Sequence, residues 1–242
     1  MVGGTKTPRE RYREQVREEV KEKAWQQIAG SGASALSLNA IAKQMGMSGP
    51  ALYRYFANRD ELITELIRDA YRSLADAFIA AAAAATAGSS SSGRGDGDEA
   101  GAGGPDLAAL AHVLRRWALA DPHRYFLIYG TPVPGYHAPP DITAIASELM
   151  SVLLDACSAA PAAGPHAFED HLATHRAWAD SHPDAPPAAL RQALAFWSRL
   201  HGVLSLELAG HFTGMGLDPA LLFQAEVDAL TGAPTACRSA HR

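Results

Sequence analysis

The sequence predicts an all-α fold. Apolar residues recur along most of the chain at the three- and four-residue spacing of amphipathic helices, as in Val16, Val20, Ala24 and Ile28. No segment alternates apolar and polar residues convincingly, as a half-buried strand would. Capping residues, prolines and glycines divide the pattern into nine to ten helices. The 242 residues are enough for a small N-terminal module and a second, larger core.

The first predicted helix is long and ends at a glycine pair. It runs from about Pro8 to Ala29, with one buried stripe that begins at Tyr12. Gly30 and Gly32 end it, because glycine adopts the left-handed backbone that follows many helices.

Three further helix starts follow closely. Ser37 is expected to cap a short helix that runs into Gly46, and Ser48 opens a second short helix. Asn58, with Glu61 three residues later, forms a capping-box-like start for a long fourth helix.

The two short helices and their glycine-containing turn predict a helix-turn-helix, which places its second helix in the major groove of DNA. The outward residues of that second helix are small or aromatic, so its backbone can approach DNA closely while hydroxyls and one guanidinium reach bases or phosphates. Ser37 and Arg59 stand at helix N-termini, where phosphates are favoured. The predicted DNA-binding residues are Ser37, Ser48, Gly49, Pro50, Ala51, Tyr53, Arg54, Tyr55 and Arg59.

Residues 37–62 resemble the DNA-binding domain of the TetR family of bacterial transcription regulators, including the LYRYF run at 52–56. Asn58 and Arg59 replace the Ser-Lys pair typical of that family. Residues 196–212 resemble a subset of the family whose C-terminal domain is named for a Trp-His-Gly pattern, here Trp197, His201 and Gly202. The resemblance implies a regulator whose long fourth helix connects a DNA-binding domain to a regulatory, dimerising one.

The expected domain bounds follow from composition and helix pattern, and the resemblance implies the roles of the domains. Residues 1–60 form the helix-turn-helix domain, 61–86 a connecting helix and 87–104 a flexible loop rich in glycine and serine. Residues 105–232 form the helical effector-binding and dimerisation domain, and 233–242 a tail.

The long helix expected from Ala188 to about Gly210 is apolar on more than one side. One stripe contains Leu190, Leu194, Trp197, Leu204 and Leu208, and another contains Phe196, Leu200, Val203 and Leu206. In the family resembled, the last two long helices of each subunit form a four-helix dimer interface, so a homodimer is expected, with Leu204 and Leu208 in its buried seam. A single deep monomer core is the alternative.

A pocket for a small, largely hydrophobic effector is expected among the middle helices, because such pockets are mostly apolar with a few polar groups. The same aromatic residues can equally be plain core. The candidate ligand-binding residues are Trp117, Phe126, Tyr129, Met150, Trp178 and His201.

Other function classes lack their motifs. No nucleophile elbow, phosphate-binding loop or dinucleotide fingerprint is present, so no enzyme and no cofactor are expected. His171 and His175 stand one helical turn apart, as in some zinc sites, but nothing else supports a metal, and a solvated helix face is the preferred interpretation.

The charge is distributed unevenly along the chain, as expected for a protein that contacts DNA with its N-terminal end only. Residues 1–72 hold 12 Lys and Arg against 9 Asp and Glu, whereas the remaining residues hold 9 against 17. No apolar run long enough for a membrane span and no hydrophobic signal region are seen, and the two cysteines, Cys157 and Cys237, do not suggest a disulfide. A cytoplasmic protein without membrane contact is expected.

Together these features predict a one-component regulator that binds a palindromic operator in double-stranded DNA as a homodimer. Release by a small molecule, and thus repression, is the favoured mode. A transcriptional activator, or a DNA-binding protein whose C-terminal domain serves only dimerisation, stays open as an alternative.

Overall fold

The computed structural model describes residues 7–91, 106–133, 136–137, 139–157 and 166–232. Within these residues the chain forms ten α-helices and two 3-10 turns, with no β-strand, so the predicted all-α fold is confirmed. The helices are α1 (Pro8–Ser31), α2 (Leu38–Gln44), α3 (Gly49–Leu52), α4 (Arg59–Ser91), α5 (Leu107–Ala120), α6 (Pro122–Tyr129), α7 (Pro140–Cys157), α8 (Ala167–Thr174), α9 (Pro187–Leu208) and α10 (Pro219–Thr231). The 3-10 turns span Ala33–Ala35 and Ala177–Ala179.

The helix caps form largely where the sequence predicts them. The Ser37 hydroxyl accepts a hydrogen bond from the Ala40 amide at 3.4 Å, and Asn58 Oδ1 accepts one from the Glu61 amide at 2.7 Å. The Glu61 carboxylate in turn accepts a bond from the amide of Ala57. Short side chains that satisfy the first amides of a helix therefore fix these starts.

Two helix boundaries differ from expectation. Helix α4 continues to Ser91, five residues beyond its predicted end, after a run of alanines that favours helix. The remainder of the expected loop, residues 92–104, lies outside the described residues, as does the tail at 233–242. The sequence predicts one helix over 167–179, but α8 ends at Thr174, because the backbone of His175 (φ −118°, ψ 66°) is not helical.

The chain divides into two compact units. The first contains the described residues up to Ala70 together with His123–Ile142, and the second contains Tyr71–Pro122 and the described residues from Thr143 onward. The core of the first unit is built on the stripe of α1 predicted from the sequence, with Val20 and Ala24 fully buried. Leu62 and Leu66 of α4 are also fully buried.

The turn between α2 and α3 depends on Gly46. Its φ is +65°, in the left-handed region that a side chain disfavours. The Met47 amide bonds to the carbonyl of Ala42 at 2.9 Å and the Gly46 amide to that of Lys43 at 3.3 Å. Together these two bonds form a Schellman motif, in which a helix ends at a glycine in the left-handed conformation. The motif fixes the direction in which the chain enters α3.

The second unit packs α9 against α5, α8 and α10. The apolar residues of α9 do not follow the two predicted stripes, because Phe196, Leu200 and Leu204 share full burial inside the chain, whereas Leu206 is exposed. Ion pairs join the helices at the edge of this core, among them Arg191 with Glu169 and Arg199 with Glu226. None of the described helices is long and apolar enough to cross a bilayer.

Two glycines of the first unit should respond in opposite directions to alanine. Gly46→Ala should lower the free energy of unfolding by about 1–2 kcal/mol, because a Cβ disfavours the positive φ. Gly30 lies inside α1 with nothing near an added Cβ, so Gly30→Ala should raise it by about 0.5–1 kcal/mol. Urea unfolding followed by circular dichroism measures both. Equal effects would show that the backbone at Gly46 is not constrained as described.

Candidate DNA-binding surface and effector sites

Helix α3 is a single turn anchored by two apolar side chains. Leu52 within it and Phe56 just after it are fully buried. The residues predicted to face DNA all retain exposure around these anchors. Ser48, Pro50, Tyr53 and Arg54 are exposed, and Gly49, Ala51 and Tyr55 are half-buried.

Helices α2 and α3 approach each other closely at Gly49. A Cβ added there would lie 3.4 Å from Oδ1 of Asn39, at the short end of ordinary van der Waals contact. Position 49 therefore lies directly beside Asn39 of α2.

Ser37 has a structural role in addition to the predicted phosphate contact. Besides capping α2, its amide donates to Oε1 of Gln27 at 3.0 Å, and its side chain is half-buried.

Arg59 also serves the fold. Its Nε donates to the carbonyl of Leu36 at 3.2 Å, and Nη2 donates to those of Ala33 at 2.8 Å and Ser34 at 3.3 Å. Nη1 lies 3.8 Å from Oδ1 of Asp60. The guanidinium therefore fastens the 3-10 turn between α1 and α2 to the start of α4, and a phosphate would have to approach it from the Nη1 side. The sequence pattern could not show this role, because the acceptors are backbone carbonyls distant along the chain.

A hollow of about 530 Å³ lies beside the end of α3. We call it the cationic hollow, since three arginines and only one carboxylate surround it. Its lining residues are Arg9, Glu10, Tyr12, Arg13, Arg54 and Tyr55. The sequence predicts Arg54 and Tyr55 as DNA contacts but not Arg13, and Tyr12, predicted to begin the buried stripe of α1, is exposed. An open positive surface next to exposed α3 residues suits the phosphate backbone of DNA.

The six predicted ligand-binding residues are distributed over both units. Phe126 and Tyr129 belong to α6 in the first unit, where the ring of the fully buried Tyr125 contacts both, at 5.5 and 5.3 Å between centroids. Phe126 lines a cleft of about 330 Å³ together with Ile28 and other residues of the α1 end, the first 3-10 turn and residues 131–133.

The other four residues belong to the second unit. Trp117 is buried, its Nε1 donates to the Ser73 hydroxyl at 3.2 Å, and it lines an open groove of about 430 Å³ with Ala77, Ala80 and Ala81. The rings of His201 and Trp197 lie 4.4 Å apart, which brings together two members of the Trp-His-Gly pattern. Met150 and Trp178 are half-buried.

Three histidines between residues 171 and 182 have partners in the chain. The rings of His171 and His175 stack with centroids 4.0 Å apart, and His182 Nε2 lies 2.8 Å from Asp155 Oδ1. Among the described residues, no group of three or more His, Cys, Asp and Glu side chains is arranged to hold a metal ion.

Comparisons with known proteins agree in both halves of the chain. The family model "Bacterial regulatory proteins, tetR family" matches residues 22–66, and "Tetracyclin repressor-like, C-terminal domain" matches residues 107–230. The HTH-type transcriptional regulators Rv1816 of Mycobacterium tuberculosis and Mb1846 of Mycobacterium bovis are each 35% identical over 223 residues. Each alignment covers 88% of this chain and 90% of the relative.

Two solved structures resemble the fold. The crystal structure of SCO4313, a candidate regulatory protein, is 65% identical with a TM-score of 0.80, and the match covers 93% of this chain and 100% of that one. A protein with unknown function from Rhodococcus sp. RHA1 has the same fold at 22% identity, with a TM-score of 0.58 and 89% and 92% of the two chains covered.

His201 should make the stability of the protein depend on pH. Burial lowers its pKa from 6.5 to about 4. Between these values the unfolded chain binds a proton that the folded chain does not. The His201 contribution to the free energy of unfolding is therefore lost as the pH falls from about 6.5 to about 4, by at most about 1.4 kcal/mol per pH unit.

Urea unfolding of the wild type and of His201→Asn from pH 4.5 to 8 isolates this contribution, since both chains share the same carboxylates. The difference in the free energy of unfolding between the two chains should be constant above about pH 7. Below that pH the wild type should lose stability relative to the variant. A difference independent of pH would contradict the lowered pKa.

Proposed function

Because the chain belongs to the TetR family of helix-turn-helix transcription regulators, we propose that it binds a palindromic DNA operator as a homodimer and that a small-molecule effector releases it. The family regulates transcription and is not a family of enzymes. The observation that carries the proposal is the exposed surface of α3 beside the cationic hollow. A transcriptional activator uses the same surface, and the position of the operator relative to the promoter decides between the two modes.

The proposal includes the finer assignments made from the sequence. We assign the chain to the Trp-His-Gly subset, for which the contact between Trp197 and His201 is the structural support. We retain residues 1–60 and 105–232 as the DNA-binding and regulatory domains, linked by α4, and the cytoplasm as the site of action.

DNA recognition divides between base-facing and phosphate-facing groups. Ser48, Gly49, Pro50 and Ala51 are proposed to lie against bases, because their short side chains let the backbone enter the major groove. Tyr53 and Arg54 are exposed and can reach bases or phosphates, and the cationic hollow would receive the adjoining backbone. Ser37, Tyr55 and Arg59 complete the proposed contact surface.

Salt dependence should distinguish these roles. A duplex selected from a randomised library by the wild-type chain supplies the probe. Arg54→Gln should weaken binding to it and to random DNA of equal length, and should reduce the slope of log affinity against log salt by about 0.9, the value of one phosphate contact.

Ala51→Val should weaken only the selected duplex, because its extra methyls alter the base-facing surface without changing charge. If neither variant changed affinity for the selected duplex, α3 would not be the contact surface.

Dimerisation is proposed to use the hairpin of α9 and α10, whose helices pack against each other. Apolar side chains remain exposed close to the loop that joins them, with Leu206 45% and Leu221 69% exposed. Met215 and Leu217 of the loop are exposed as well. Exposed apolar side chains gathered on one hairpin mark an interaction surface. Leu204, which the sequence placed in the dimer seam, is buried within the chain and is not available to a partner.

The double variant Leu206→Glu with Leu221→Glu should be a folded monomer by sedimentation at micromolar concentration. Charges on the proposed interface would be desolvated without a partner in the dimer. Leu119→Glu, at a similarly exposed leucine of α5, is the matched control and should remain dimeric. A wild-type chain that sediments as a monomer and still binds the selected duplex tightly would overturn the dimer.

The effector is proposed to be a small, largely hydrophobic molecule. Two described openings contain predicted ligand residues: the cleft at Phe126, and the groove at Trp117. Both have a largely apolar lining, with His123 and Ser34 among the polar side chains of the cleft and Arg116 as the charged side chain of the groove. An effector can release DNA only if it binds the DNA-free conformation better, and the coupling must be reciprocal.

A ligand found by thermal-shift screening should lower affinity for the selected duplex by about 5–150-fold. Ser34→Leu partly fills the cleft and Ala81→Leu partly fills the groove, and each should leave DNA binding intact. The variant that loses the response identifies the site. A tight ligand that leaves DNA affinity unchanged would make the C-terminal domain a dimerisation scaffold only.

A further inference from the structure

We propose that Arg17 of α1 positions the recognition helix α3 from behind and does not itself contact DNA. The inference rests on the proposed use of α3 as the DNA-reading surface. It adds a residue outside the helix-turn-helix segment to the determinants of sequence specificity.

Helix α3 needs outside support because it has only four residues. After Leu52 the chain continues in tight turns, with the Arg54 amide bonded to the carbonyl of Ala51 at 3.3 Å and the Tyr55 amide to that of Leu52 at 2.8 Å. One hydrogen-bonded turn is unfavourable in isolation, since it fixes several backbone dihedrals for one bond. The last carbonyls of such a segment also have no following turn whose amides would donate to them.

Arg17 supplies what the end of α3 lacks. Its Nη1 donates to the carbonyl of Tyr55, and the guanidinium carbon lies 4.2 Å from the centroid of the Phe56 ring. One side chain thus satisfies a terminal carbonyl and covers the ring that anchors the end of the turn by a cation–π contact.

The guanidinium is itself held in place. Arg17 Nη1 lies 3.7 Å from Glu61 Oε1, and Nη2 lies 3.4 Å from Glu65 Oε1. Glu65 also pairs with Arg68 Nη1 at 2.6 Å, which orients its carboxylate. Contacts from α4 and from the segment that follows α3 therefore fix a planar group through separate nitrogens, an arrangement that a lysine ammonium cannot reproduce.

Arg17 is less exposed than the cations that are proposed to face DNA. The Arg17 side chain is 22% exposed, whereas Arg9, Arg13 and Arg54 around the cationic hollow are exposed. Removal of a phosphate contact reduces the salt dependence of binding, whereas removal of a positioning contact lowers the fraction of molecules whose α3 is ready to bind.

The test compares Arg17→Lys and Arg17→Gln with Arg9→Lys and Arg9→Gln in the full-length chain. The probes are the selected duplex and a random duplex of equal length. Arg17→Lys should lower affinity for the selected duplex about tenfold, as expected if the competent α3 conformation falls to about a tenth. Its affinity for random DNA and its salt slope should stay unchanged. Arg9→Lys should match the wild type, and Arg9→Gln should reduce the slope by about 0.9.

Amide hydrogen exchange without DNA supplies a second readout. Peptides covering 49–56 should exchange faster in Arg17→Lys, whereas peptides of α9 should not change. Should both Arg17 variants fail to fold, Glu61→Gln with Glu65→Gln retains Arg17 but releases its orientation. That variant should lower specific affinity severalfold, again without a change in salt slope.

The proposal is overturned if Arg17→Lys binds the selected duplex like the wild type, or if Arg17→Gln reduces the salt slope as Arg9→Gln does. The second outcome would make Arg17 a phosphate contact. If the wild-type chain selects no duplex at all, the proposed function fails instead.

Discussion

A helix of four residues does not hold its shape alone in water, and this constraint governs the N-terminal unit. The surface proposed to read DNA is such a helix, so its geometry has to come from its neighbours. Gly46 sets the direction from which α3 starts, and the buried Leu52 and Phe56 fix its inner side. The long helices α1 and α4 contribute contacts between residues far apart in the chain, through Arg17, Glu61 and Glu65. The outer surface is thereby left for small and hydroxyl-bearing side chains, which would be poor choices for stabilising a helix.

Much of the fold was predictable from the sequence because its signals are local. A cap is a contact between residues two or three apart, so Asn58 and Glu61 reveal the start of α4 without knowledge of the rest. The stripe from Val16 to Ile28 likewise depends only on helical periodicity. The sequence predicts a loop at 87–91 because glycine and serine disfavour helix. The long alanine run before them nevertheless extends α4 through these residues.

What could not be predicted depends on residues far apart in the chain. The sequence predicts a phosphate contact for Arg59, but it does not reveal that the guanidinium also bonds to carbonyls some 25 residues earlier. Leu204 and Leu206 are equally apolar, and only the packing of α9 shows that the first is core and the second exposed. The aromatic residues considered for one pocket belong to two units for the same reason, since aromatic composition does not reveal which helices meet.

The central claim is that α3 reads DNA through the major groove in two copies related by the symmetry of a dimer. Methylation interference on the selected duplex tests it most directly, because dimethyl sulfate marks guanine N7 in the major groove and adenine N3 in the minor groove. The account predicts that guanine methylation blocks binding in two clusters about 10 base pairs apart, or a multiple of that spacing. Interference confined to adenine N3, or to a single cluster, would contradict it.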